Sequence, residues 1–178
     1  MNKTLLSLII LSLLLFSCQS DKVSEKWKRI TFKPENCSFL FPSEVFYKST
    51  DTLPSKEYGT TYMHLVNAEV KRDTLLDFYS FHHFEYPEYD LETNKEQYFK
   101  DLIQRMQTNF EATLVESNKM KHNKGDGQQF KLFIEKSQAY FNLCYYIIDG
   151  KVFGFQVVSN NKDSEDFPAD EFFNSLEF

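Results

Sequence analysis

The sequence predicts an α+β domain: an antiparallel β-sheet with a long central helix and a short C-terminal helix packed on it. Three observations predict it. Several segments alternate apolar and polar residues with the period of two that a strand covered on one face requires. Phe99, Leu102, Met106 and Phe110 are spaced 3, 4 and 4, which puts one apolar stripe on a helix. Asp149-Gly150 separates two strongly strand-forming runs, and both central positions of a type I′ hairpin turn need positive φ. Strands joined by short turns, with helices set between and after them, pack as layers.

The elements follow in chain order. Residues 27–32 and 38–41 read as short apolar strands, with Phe41-Pro42 closing the second. Residues 48–56 are polar and read as a loop. Residues 58–70 alternate, so that Tyr62, His64, Val66, Ala68 and Val70 share one face. Residues 75–86 form an aromatic-rich strand that stops at Pro87, which cannot donate to a ladder. Thr93-Asn94-Lys95-Glu96 has the form of a capping box, which predicts a helix ending near Phe110. Residues 112–121 read as a strand and 122–127 as a turn cluster. Residues 128–136 and 138–148 are the next strands, and 151–159 returns after Asp149-Gly150. Phe141, Leu143 and Tyr145 share one face of their strand, and Tyr140, Cys144 and Tyr146 share the other. A strand apolar on both faces is expected at the centre of a sheet covered on each side. After a polar loop at 160–163, residues 164–174 read as a short helix carrying Phe167, Phe172 and Phe173.

The first 17 residues are expected to be a lipoprotein signal peptide. Lys3 is the charged n-region, and Leu5 to Phe16 is an apolar stretch broken only by Ser7 and Ser12. It is shorter than the roughly 20 residues that a spanning helix needs. Leu15-Phe16-Ser17-Cys18 resembles the lipobox of bacterial lipoproteins. A thiol is needed at the first mature position because the diacylglyceryl group attaches through sulfur, and a small residue must precede it at the peptidase. Phe16 is bulkier than the residue most usual there. The simpler readings are a plain signal peptide or a core helix with an incidental Cys. Cys18 is thus the expected lipidation site, and residues 18–26 a polar tether. Each buried methylene contributes about 0.8 kcal/mol, so several acyl chains such as palmitate hold a protein permanently where one holds it marginally. The expected location is the cell envelope, on the outer rather than the inner membrane, facing the periplasm or the cell surface.

Residues 27–178 then form one domain. The composition is globular, with 42% hydrophobic, 26% charged and 17% aromatic residues. The chain carries a net charge of −6, which disfavours phosphate backbones and excludes nucleic acid as the expected partner. Of the three cysteines, Cys37 and Cys144 remain once Cys18 is lipidated. They could pair in an oxidising compartment, but each also reads as a small buried hydrophobe. Their spacing is not that of a zinc site.

Phe39-Leu40-Phe41-Pro42, the run from Tyr79 to Pro87, the 127–159 meander and the terminal Phe172-Phe173-Asn174-Ser175-Leu176-Glu177-Phe178 resemble the PsbP-like proteins, which include plant photosystem extrinsic subunits. The resemblance covers most of residues 38–178. It implies an α/β/α sandwich with a non-enzymatic scaffold or assembly role, and it transfers no functional residue.

No catalytic residue and no cofactor is expected. There is no Gly-x-Ser-x-Gly elbow and no glycine-rich phosphate loop. Glu165-Asp166 and Asp170-Glu171 read as helix-terminal charge and a solvated face. No residue is assigned as a metal ligand, although His64, His82 and His83 are candidates. If their strands form a hairpin, His64 approaches one of the adjacent pair and the other points away, and a carboxylate such as Glu85 completes a set. The plainer reading is three strand histidines in partial contact with solvent. The expected function is therefore a membrane-anchored, non-enzymatic binding or assembly module with a possible protein partner in the envelope. The alternative is a metal-binding protein or enzyme using the His64/His82/His83 region. A pocket lined by those histidines favours the alternative, and a filled core favours the module.

Overall fold

The computed structural model describes residues 27–42, 45–55, 57–72, 75–160 and 169–178. The signal segment 1–17, Cys18, the tether and Phe167 lie outside the described residues. The element order is β1 (Trp27–Phe32), a 3-10 turn (Lys33–Glu35), β2 (Cys37–Pro42), β3 (Val45–Ser55), β4 (Gly59–Arg72), β5 (Leu75–Glu85), α1 (Lys95–Phe110), β6 (Ala112–His122), β7 (Gly125–Ile134), β8 (Ala139–Ile148), β9 (Lys151–Ser159) and α2 (Ala169–Phe173).

A seven-stranded, wholly antiparallel sheet runs in the order β3-β4-β5-β9-β8-β7-β6. Two hairpin-connected halves, β3–β5 and β6–β9, meet at the β5–β9 pairing. The β8–β9 turn forms as its residues dictate, with Asp149 at φ 51° and Gly150 at φ 71°.

Both faces of the sheet are covered, as the two-sided apolar pattern of β8 requires. On one face Cys144, Tyr146 and Ile148 join Phe81, Phe153 and Phe155 beneath the separate β1–β2 hairpin and α2. Phe39 of β2 stacks on Phe81 with ring centroids 4.0 Å apart and the ring planes 23° from parallel, an aromatic contact that adds to plain burial. Backbone bonds between Ser38 and Glu177, at 2.7 and 2.8 Å, fasten the C-terminus to β2. On the other face Phe141, Leu143, Tyr145 and Ile147 pack under Tyr98 and Phe99 of α1.

Three expectations are corrected. The sheet dominates the fold, and α1 is one cover lying on its β6–β7 side; a long central helix is not what organises it. The short C-terminal helix is present as α2, whose Phe172 and Phe173 are buried in the core that the β1–β2 hairpin also covers. Residues 48–56, read as a loop, lie almost wholly in β3. This strand sits at the sheet edge with Tyr47 and Leu53 exposed, so its polarity reflects solvent and not irregular backbone. The capping box does not close: the Thr93 hydroxyl donates to the Asp90 carboxylate instead, and Asn94 takes the cap position with its side-chain amide donating back to the Asp90 carbonyl at 2.8 Å and not capping the helix. Asp90, three residues before Thr93, accepts from both the Thr93 hydroxyl and its backbone N–H.

Candidate functional site: a histidine–carboxylate cluster and a lysine-rimmed cleft

The register of β4 against β5 places His64 directly opposite His83. Their rings lie 5.7 Å apart between centroids. His82 points to the opposite face, as the strand alternation demands. His83 is fully buried beneath the first hairpin, against the rings of Phe32 (5.1 Å) and Phe153 (5.0 Å). Its Nε2 lies 3.4 Å from the Glu35 carboxylate, which descends from the 3-10 turn at the tip of that hairpin. Asn36 in the left-handed conformation ends this turn and returns the chain to β2. Lys151, at the start of β9, bonds the same Glu35 oxygen at 2.6 Å and approaches Glu85 at 3.9 Å. Glu35, His83 and Glu85 present ligand atoms all within 4.8 Å of one another.

The electrostatics follow from burial. Desolvation above all, with the neighbouring His64 and the Lys151 ammonium adding to it, pushes His83 down to about 3. Its imidazole is therefore neutral at physiological pH and keeps one lone pair. Neither ring nitrogen has a well-formed hydrogen bond among the described residues. Lys151 is held more firmly protonated by its bond to Glu35. His64 lies outside this carboxylate set and shares a 3.0 Å hydrogen bond with the Thr50 hydroxyl.

His82 belongs to a different environment. Its Nδ1 lies 3.3 Å from the Tyr145 hydroxyl, and burial lowers it to about 4. Around it, Tyr86 and Tyr98 pair their hydroxyls at 3.1 Å. The structure thus brings His64 and His83 together, separates His82 from them, and places Glu85 beside His83. Glu35 and Lys151 were not singled out in the sequence. They are 48 and 68 positions from His83, and no local spacing marks either one.

Cys37 and Cys144 are both free and buried in the same core. Burial raises their thiols to about 11 and about 12, which suits inert apolar packing and not nucleophilic chemistry.

Two clefts lie away from the histidines. One, of about 340 Å³, opens beside Asn142 and Asp170. The larger, of about 950 Å³, runs between α1 and the β6–β7 hairpin. Phe99 and Ile103 of α1 form its apolar wall, and Lys95, Lys100, Lys119 and Lys121 rim it, with Glu96 and Asp126 as the acids among them. Lys95 is engaged with Glu92 and Asp126, and Lys119 with Glu96. Lys100 and Lys121 are both exposed. No helix among the described residues is long and apolar enough to cross a membrane.

No family model and no curated protein matches the chain. Among solved structures, its fold is similar to the solution structure of cyanobacterial PsbP (CyanoP) from Synechocystis sp. PCC 6803, with 12% identity and a TM-score of 0.44 over 90% of this chain and 96% of that one.

Proposed function

We propose that this chain is a cell-envelope lipoprotein, held at a membrane through Cys18, whose domain binds a partner protein and performs no catalysis. The observation that carries the binding role is the cleft between α1 and β6–β7. On a chain of net charge −6 it gathers four lysines and two acids around an apolar wall. That chemistry selects one kind of occupant, an amphipathic polypeptide segment with acidic residues flanking an apolar face. The apolar side buries against Phe99 and Ile103, while the acids meet Lys100 and Lys121. The supporting features at the N-terminus are the lipobox-like Leu15–Cys18 sequence and the polar run after it.

Cross-linked affinity capture from the native membrane, comparing the wild type with a Lys100→Glu/Lys121→Glu variant, tests this reading. A partner with an acidic amphipathic segment, recovered with the wild type and lost with the variant, supports it. Equal recovery with both proteins, or reproducible recovery of nothing, contradicts it. Both lysines are exposed, so the variant retains its fold.

A further inference from the structure

We propose that Glu35, His83 and Glu85 form a binding site for a divalent transition-metal ion, and that the Lys151 ammonium competes with the ion for the same two carboxylates. The site lies beneath the β1–β2 hairpin, on the sheet face opposite α1, so it stands independently of the cleft.

Two separate observations support the proposal. The first is the donor set: one imidazole nitrogen and two carboxylate oxygens, all within 4.8 Å of one another. Imidazole with carboxylates suits zinc and its first-row neighbours, and three protein ligands leave further positions for water. Bonds of about 2.0–2.1 Å in tetrahedral geometry put neighbouring donors about 3.3 Å apart. His83 Nε2 and Glu35 Oε1 are 3.4 Å apart. The second observation is His83 itself. It is fully buried, both ring nitrogens lack a hydrogen bond among the described residues, and Nε2 faces Glu35. A buried imidazole of this kind normally finds a partner.

Lys151 does not supply that partner. Its ammonium serves Glu35 at 2.6 Å and Glu85 at 3.9 Å and leaves the imidazole unmatched. A metal ion neutralises the same carboxylates and also takes the His83 lone pair. Lys151 is one-third exposed at its side chain and has a path to solvent when displaced. The imidazole is held against the Phe32 and Phe153 rings, so little ordering is required on binding.

The test titrates the purified, untagged protein with Zn²⁺ against a chromophoric chelator, and with Co²⁺ by its visible absorption. The expected result is one ion per chain. Glu35→Gln and Glu85→Gln each weaken binding by at least about tenfold, the smallest loss that even an outer-shell partner produces. His83→Phe, whose fold is checked by circular dichroism, removes the Co²⁺ band. Lys151→Met tightens binding, because the competing cation is gone, whereas a merely structural lysine gives no gain. His82→Asn on the opposite face leaves affinity unchanged. Absence of stoichiometric binding in both the wild type and Lys151→Met overturns the proposal, as does undiminished binding in Glu35→Gln and Glu85→Gln.

Discussion

Gly154 sits in β9 directly opposite Tyr145 of β8, and the tyrosine ring lies across it. A Cβ at position 154 overlaps that ring, lying 2.7 Å from Cδ1 and 3.0 Å from Cζ, where carbon contacts favour about 3.5–4.0 Å. Tyr145 has little room to withdraw. It is 3% exposed, stacks on Phe130 and holds His82 through its hydroxyl. Forcing a methyl into such a core costs about 1–3 kcal/mol. Losing the Tyr145–His82 bond adds about 1 kcal/mol. Replacing a strand glycine returns about 0.5–1 kcal/mol of chain entropy. Gly154→Ala is therefore destabilising by about 2 kcal/mol net, which lowers the melting temperature by about 4–8 °C in a domain of this size. Urea unfolding followed by circular dichroism measures it directly. In a Tyr145→Leu background the ring is absent, and the added cost of Gly154→Ala shrinks toward zero. A Gly154→Ala protein as stable as the wild type, or an undiminished cost in the Tyr145→Leu background, refutes the packing argument.

Gly150→Ala isolates the turn from the packing. No atom lies within 4 Å of the added carbon, so only the positive φ of 71° opposes it, and thermal denaturation is expected to show a loss of about 1 kcal/mol. Cys37 and Cys144, raised to about 11 and about 12, resist iodoacetamide at pH 8 in the folded protein and react at once in urea, with peptide mapping as the readout. Rapid alkylation of the native protein counts against their burial. Protonation sets the acid limit of metal-free protein. His82 and His83, lowered to about 4 and about 3, stay neutral when folded, while their unfolded forms take up protons below about pH 6.5. Stability therefore falls with pH across this window, by about 2 kcal/mol per histidine at pH 5. The stability–pH slope of His82→Asn is expected to be shallower between pH 6.5 and 4 than that of the wild type.

Much of the sheet was legible because strand alternation is a local property. The β8 pattern placed Phe141 and Leu143 on one face and Cys144 and Tyr146 on the other, and these residues divide between the two cores in that way. Asp149-Gly150 named its own turn. The approach of His64 to one member of the His82/His83 pair also followed from period-two geometry, with the β4–β5 pairing selecting His83. The edge strand β3 was missed because, with no strand beyond it among the described residues, it exposes polar residues that resemble a loop. The helix cap was misread because Asp90 offered Thr93 a partner outside the four-residue pattern. Glu35 and Lys151 escaped notice because their meeting depends on how the β1–β2 hairpin lies over the sheet, a packing outcome that no spacing in the chain encodes. The cleft likewise arises only when α1 settles against β6 and β7, bringing Lys100 and Lys121 to the rim of one cleft.

The proposed role joins a lipid anchor to a binding domain, and the anchor is the part that mass spectrometry reads most directly. The N-terminal peptide of the protein, isolated from its native membrane, is predicted to begin at Cys18 and to carry a diacylglyceryl thioether with its acyl chains. An N-terminal peptide that retains the first 17 residues, or that begins at an unmodified Cys18, contradicts the account.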